Sequence, residues 1–357
     1  MRARGLRSEW TLHSGDRHRC SPLSYHREGH PYGKRGRAHR PVRPDSGPDV
    51  GDRRRTSVDK SSLCVDSAEA NYSVAMREFW ILAGKAVLIR RLPRKDRGEL
   101  MSWHARLLAG YLKARSRRVP PREIVGPTLF GVPLRAGSYR DLAFLVQEIF
   151  LQGTYDVGPL PAEPVIVDCG ANIGIATLFF AHHYPGCRVT AFEPDPKAFA
   201  MLAYNTSGLD DVTVHNVALG REKGTIRFYV EPDMPGSLRM SGIKERKGNG
   251  QTITVDCVPL SSFLPVDVDL LKIDVEGMEW EILDDLEASG AIAGVQRLAI
   301  EYHHHLPAER DDLASFLERL ESAGFGYEIG ASKPPGRLGG FYQDVMIYAY
   351  RKEGARS

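Results

Sequence analysis

The stretch VIVDCGANIGIATLFFA, residues 165–181, passes from a branched apolar run through an acid and two glycines into a second apolar run without a break. Val165–Val167 is short, β-branched and soon followed by Gly170, the pattern of a buried parallel strand ending in a tight turn, and Ile173 to Ala181 reads as a helix. Such a turn leaves backbone N–H groups and the positive end of a helix dipole facing one spot, so it suits a small molecule with an acidic or polar end. A dinucleotide does not suit it. In Gly170-Ala171-Asn172-Ile173-Gly174 a side chain, Asn172, stands where a second glycine would admit a pyrophosphate, and the third glycine is missing. No Gly-Lys-Ser/Thr follows, which sets aside a P-loop. Glu193, 23 residues beyond Gly170, ends the next strand, Arg188–Phe192, where sheet geometry places a carboxylate against the two hydroxyls of a ribose. The expected ligand is therefore a nucleoside with a compact polar end and no pyrophosphate, a description that S-adenosylmethionine fits.

A second set of chemical groups lies further along. The buried strand Leu270–Ile273 ends in Asp274 and Glu276, and the apolar Leu298–Ile300 leads into Glu301 and His303. In open α/β sheets ligands bind at such strand ends. Acids there can take a proton, orient a substrate, bind a metal or, for Glu276, cap the helix starting near Gly277. Asp274, Glu276, Glu301 and His303 offer oxygen-rich ligation, and His303 and His305 share a face if the strand continues, yet no spacing marks a dedicated cage. No metal is expected.

These groups need a scaffold to hold them. REIVGPTLFGVPLRAGS predicts a leading hairpin around Gly131, and YRDLAFLVQEIFLQG a helix. After the glycine turn, CRVTAFEPDP, VTVHNVALG, TIRFYV, TITVDCVPL, VDLLKIDVEG and VQRLAIEYHHH read as strands, with helices over PKAFAMLAYNTSG and MEWEILDDLEASG. Strand alternating with helix specifies an α/β fold with a mostly parallel, helix-flanked sheet. Helix Ala308–Ala323 carries Leu313, Phe316, Leu317 and Leu320 on one stripe and stops at Gly324. YEIG and QDVMIYAYR then form an antiparallel C-terminal hairpin around ASKPPGRLGG. Between TIRFYV and TITVDCV, the long EPDMPGSLRMSGIKERKGNG has the composition of a covering loop, so substrate selection is expected in 221–260.

In order along the chain, VIVDCGANIGIATLFFA, FEPDP, NVALG and DLLKIDVEGMEWEIL resemble the FkbM-type branch of class I S-adenosylmethionine-dependent methyltransferases. The resemblance covers roughly 140–350. It implies a Rossmann-like, doubly wound, seven-stranded sheet and O-methylation of a hydroxyl, on a sugar, glycan or secondary metabolite. It also implies that Asp168, Gly170, Asn172 and Gly174 hold the methionine end of S-adenosyl-L-methionine, that Glu193 holds the ribose, and that Asn216 to Ala218 lie near adenine. Methyl transfer to oxygen asks the protein to align a hydroxyl and manage one proton. His303 is the leading base because imidazole titrates near neutral pH, with Asp274 a close rival. A cofactor-binding pseudoenzyme and a glycan- or partner-binding module without turnover remain alternatives. The acceptor hydroxyl and the oligomeric state are not legible.

Charge is unevenly distributed. Residues 1–60 hold 15 Lys+Arg against 7 Asp+Glu, whereas 61–357 hold 33 against 38, so the net +3 is a tail of +8 on a remainder of −5. The basic balance thus gives no argument for nucleic-acid binding by the folded part. Rich in Arg, Gly, Pro, Ser and His, residues 1–60 are expected to be a disordered basic tail, of the composition that translation upstream of a true start would give, with Met76 as a candidate start. A basic helical segment follows over 61–121. The methyltransferase domain is expected over 122–352, with a flexible C-terminus expected over 353–357. Residues 76–118 carry 12 Lys+Arg against 3 Asp+Glu and place Trp103, Leu107, Leu108, Tyr111 and Leu112 at helical spacing. Such a segment can lie on an anionic membrane, but packing on its own domain is the expectation. The early apolar stretch 79–89 is broken by Lys85 and too short to span a bilayer, and no secretory signal is visible. Five cysteines without C-x-x-C spacing suit a reducing, cytoplasmic compartment.

Overall fold

A computed structural model describes residues 84, 89, 94–116, 123–230, 251–304, 311–330 and 343–352, all within one unit, Asp59–Ser357. In chain order the elements are α1 (Arg94–Ser116), β1 (Ile124–Val125), β2 (Arg135–Ala136), α2 (Tyr139–Val146), β3 (Val165–Cys169), α3 (Ile175–His183), β4 (Arg188–Phe192), α4 (Pro196–Thr206), β5 (Val212–His215), β6 (Ala218–Leu219), β7 (Gly224–Val230), β8 (Gln251–Val258), β9 (Leu270–Ile273), α5 (Glu279–Ala288), β10 (Arg297–His304), α6 (Leu313–Ser322), β11 (Phe325–Gly330) and β12 (Gln343–Arg351).

Seven strands form one sheet in the order β5-β4-β3-β9-β10-β12-β11. From β5 to β10 every pairing is parallel, and β12 runs antiparallel to both β10 and β11. This is the expected doubly wound, Rossmann-like α/β fold with its antiparallel C-terminal hairpin. The chain leaves β3 toward β4 and β5, then returns to β9 on the other side of β3. That reversal opens a crevice at the carboxyl ends of β3 and β9, where open α/β sheets bind ligands.

Alternation along the central strands builds a core on both faces. Ile166, Leu270 and Ala299 enter one apolar cluster, and Val167, Leu271, Ile273, Leu298 and Ile300 enter the other. α6 seals the second cluster through Phe316 and Leu320, both fully buried, and ends where Gly324 takes φ 87°.

Several details depart from the sequence reading, among them α6, which starts at Leu313 and leaves Asp311 and Asp312 outside the helix expected over 308–323, and VTVHNVALG, which divides into β5 and β6. TIRFYV and TITVDCV do not join the main sheet; β7 pairs antiparallel with β8, and β6 joins them in a separate three-stranded sheet. Their one-sided burial explains it, since both start exposed and bury alternate residues only toward their ends. The helix after the glycine turn begins at Ile175 rather than Ile173, because the turn consumes those residues. α2 passes into a π-helical turn, Gln147–Leu151. The expected covering loop, residue His305 and the tail over 1–60 lie outside the described residues.

The expected hairpin around Gly131 is present, with Phe130 and Gly131 at φ 50° and 83° and β1 paired to β2. α1 packs on it. Leu100, Trp103 and Leu107 are buried in the first cluster, the Trp103 indole donates to Pro127 C=O at 3.1 Å, and Arg106 donates to Thr128 C=O. Among the described residues no helix is long and apolar enough to cross a membrane.

Candidate active site

The turn after β3 is folded back on the end of β4. Gly170 and Ala171 N–H both donate to Phe192 C=O. Gly170, Asn172 and Gly174 take φ 78°, 50° and 88°. A Cβ on Gly170 would stand 1.8 Å from Asp274 C=O, so only glycine lets the ends of β3 and β9 approach this closely.

Glu193 locks the turn from the other side. Its Oε2 accepts Asn172 N–H at 2.9 Å and its Oε1 accepts Asp195 N–H at 2.8 Å. The carboxyl is 4% exposed, and burial pushes its pKa up to about 8 against the pull of the Asp195 N–H. Each oxygen holds one N–H and keeps a further lone pair, which is the capacity a vicinal diol needs. Asn216 supports this end of β4, its Nδ2 donating to Glu193 C=O at 2.8 Å and Pro194 C=O at 3.2 Å. Ala218, placed near adenine in the sequence reading, lies in β6 with its methyl buried in the core, so Asn216 is the residue of that stretch that faces the site's framework. Asn172 Oδ1 is buried and has no hydrogen-bond partner among the described residues.

Asp168 is fully buried. Its Oδ2 accepts the Thr177 hydroxyl at 2.7 Å and its Oδ1 sits 3.0 Å from Lys272 Nζ. The ammonium also donates to Gly170 C=O at 2.7 Å and lies 3.7 Å from Asp274 Oδ2. Burial alone would lower the Lys272 pKa, but Asp168 and Asp274 outweigh it and hold it above the usual lysine value. Asp168 therefore anchors the turn from beneath through Thr177 and Lys272.

Beyond the turn, Asp274 accepts the Tyr155 hydroxyl at 2.9 Å, and the same hydroxyl lies 3.4 Å from Glu301 Oε2. Burial, reinforced by Asp274 and Glu301, raises the Tyr155 pKa, which keeps the phenol a donor. Burial and then Asp274 push Glu301 up to about 8, with His303 pulling the other way. His303 is 3% exposed. Its Nδ1 is 2.7 Å from Glu279 Oε1, while its Nε2 faces Glu276 Oε2 at 3.5 Å and Asp344 Oδ1 at 3.7 Å. α5 starts after Met278, whose side chain makes no cap bond, and Glu276, at φ 59°, brings its Oε2 to 3.5 Å from His303 Nε2.

Residues 168–327 match the Methyltransferase FkbM domain. Over 225 residues the chain is 31% identical to Methyltransferase 1 of Beauveria bassiana, spanning 56% of this chain and 87% of that protein. The chain belongs to the FkbM methyltransferase family. It is also 30% identical over 181 residues to the 31-O-demethyl-FK506 methyltransferase FkbM of Streptomyces tacrolimicus, spanning 40% of this chain and 68% of that one. The crystal structure of Methyltransferase FkbM from Methylobacillus flagellatus KT aligns at 19% identity over 59% of this chain and 54% of that one, with a TM-score of 0.37, too loose to add to the topology above.

The FkbM match starts at Asp168 and ends in β11, so it contains the turn, Glu193, Asp274, Glu276, Glu301 and His303. Tyr155 and Asp344 fall outside it. The structure brings Asp274, Glu276 and His303 together, and likewise Glu301, His303 and Asp344, each trio with ligand atoms within 4.8 Å of one another. Lys272, Tyr155, Glu279 and Asp344 were missed by sequence reasoning. Only Lys272 carried a local signal, a lysine in an otherwise apolar strand, which demands a buried carboxylate partner.

Proposed function

We propose that this methyltransferase moves the methyl group of S-adenosyl-L-methionine to a hydroxyl oxygen of a small molecule or glycan. The observation that carries the cofactor reading is Asn172 Oδ1, a buried acceptor without a partner among the described residues, on the residue whose backbone N–H the Glu193 carboxylate accepts at 2.9 Å. An ammonium donor there and a diol on Glu193 are the two ends that S-adenosyl-L-methionine presents. The O-methyl reading draws on the Streptomyces relative, whose name specifies an O-demethyl substrate.

When bound, the cofactor supplies a methyl on a sulfonium, an electrophile with a good leaving group. The chain's residues align the acceptor and take one proton. Asp274 suits the base role better than His303: its side chain is 23% exposed and its backbone abuts Gly170, whereas His303 is buried with Nδ1 committed to Glu279. Tyr155 donates to Asp274 and holds the carboxylate oriented. With the sulfonium supplying the methyl and its thioether leaving, Asp274 would take the acceptor hydroxyl's proton, so that the product would be a methyl ether.

Purified protein incubated with methyl-labelled S-adenosyl-L-methionine and an extract of the producing cell tests this. The reading expects a labelled small molecule or glycan whose methyl resists mild base and maps to oxygen by mass spectrometry. Label on nitrogen, carbon or protein would contradict it.

A further inference from the structure

We propose that the strand ends of β10 and β12 form a divalent-cation site, with Glu301, His303 and Asp344 as ligands and Glu276 flanking them. His303 and Asp344 are direct cross-strand partners in the antiparallel register, and Glu301 lies two residues before His303. All three therefore project from the same face of a rigid, hydrogen-bonded pair of strands. Their ligating atoms lie within 4.8 Å of one another.

The spacing suits one small ion. Ligands about 2.1 Å from a six-coordinate cation lie about 3.0 Å apart when adjacent and about 4.2 Å apart when opposite. His303 Nε2 stands 3.5 Å from Glu276 Oε2 and 3.7 Å from Asp344 Oδ1, so small side-chain rotations close the shell.

A second observation concerns the imidazole itself. Glu279 Oε1 takes the Nδ1 side of His303 at 2.7 Å, and the same carboxylate is held by Gly277 N–H at 2.9 Å. This carboxylate–imidazole pairing fixes the ring with Nδ1 on Glu279 and Nε2 toward Glu276 and Asp344, the orientation by which a carboxylate behind a histidine presents its other nitrogen to a metal. One nitrogen among carboxylate oxygens fits a first-row divalent ion of the Mn2+ type. Three or four protein ligands leave positions open beside Asp274, where an acceptor hydroxyl could bind and be acidified. That last step rests on the O-methyl transfer proposed above; binding of the ion does not. The ligands come from two strands far apart in the chain, β10 and β12, which is why no metal spacing was visible in the sequence.

The test uses the full chain, stripped with EDTA, desalted and titrated with Mn2+ while the EPR signal of the free ion is followed. One saturable Mn2+ per chain is expected, with pulsed EPR showing nitrogen-14 coupling from an imidazole. Asp344→Asn and Glu279→Gln should each weaken binding, the latter by about 10–100-fold. His303→Gln should abolish the nitrogen coupling. Should His303→Gln fail to melt cooperatively, Asp344→Asn, at a side chain 19% exposed, still decides. No saturable Mn2+ binding by a wild type that binds S-adenosylhomocysteine would overturn the metal site alone. Binding without nitrogen coupling, or unaffected by Asp344→Asn, would overturn it too. Mn2+ binding without S-adenosylhomocysteine binding would sink the cofactor reading and leave this one standing.

Discussion

Lys272 Nζ sits 3.0 Å from Asp168 Oδ1, inside a strand whose four side chains are all buried. The pair joins β9 to β3 beneath the glycine turn, and Lys272 also holds Gly170 C=O. Removing one partner leaves a buried charge uncompensated, so Lys272→Met should cost about 3–5 kcal/mol. Urea denaturation measures it. Adding Asp168→Asn should recover part of the loss, and a double variant no more stable than Lys272→Met would show that the two charges are not coupled.

Gly170→Ala should damage the site through geometry alone. The left-handed backbone costs an alanine about 1–2 kcal/mol, and the new Cβ meets Asp274 C=O at 1.8 Å, forcing β3 and β9 apart. S-adenosylhomocysteine affinity is expected to fall by more than stability does, measured by calorimetry alongside denaturation. Wild-type affinity in this variant would mean that the approach of these strand ends is not what shapes the site.

Asp274→Asn keeps the Tyr155 hydroxyl contact possible but removes the proposed proton acceptor. Turnover on the identified acceptor should drop by about 10²–10⁴-fold while S-adenosylhomocysteine affinity holds. If His303→Gln lost turnover that much with its metal content unchanged, and Asp274→Asn did not, the base would be His303.

A ribose held by Glu193 would make ligand binding depend on pH. Burial raises the Glu193 pKa to about 8 in the free protein. For folding, a carboxyl raised in the folded state stabilises fully below its unfolded value and loses that contribution as pH rises through about 8. For binding the sign reverses, because a carboxylate that accepts two ribose hydroxyls must be ionised. S-adenosylhomocysteine affinity should therefore rise by about one decade from pH 7 to pH 9. Glu193→Gln, titrated in parallel, should remove that rise and expose any slope that belongs to the ligand. Identical slopes in the two proteins would contradict it.

Much of this architecture was legible because it is local. The apolar run before Gly170, the acid ending β4 and the acids ending β9 and β10 each announce themselves within about ten residues, and parallel α/β order follows from their alternation. The missed features are long-range. Tyr155 reaches Asp274 across 119 residues of chain, Asp344 meets His303 only through the register of β12, and Glu279 finds His303 through the docking of α5. Short strands such as TIRFYV show their period but not which sheet they join. The place of Asp168 at the turn is visible in the sequence, whereas its partner, Lys272, belongs to another strand.

The most direct measurement of the central claim is calorimetry of S-adenosylhomocysteine on folded wild type and on Glu193→Ala. Loss of two charge-assisted hydrogen bonds, each worth roughly 1.5–3 kcal/mol, with water filling the gap, should leave a net penalty of about 1.5–3 kcal/mol. That is about one to two decades in affinity, with NAD and ATP failing to compete on the wild type. Equal affinity in the two proteins would remove Glu193 from the ribose, and tight NAD binding by the wild type would contradict S-adenosyl-L-methionine as the cofactor.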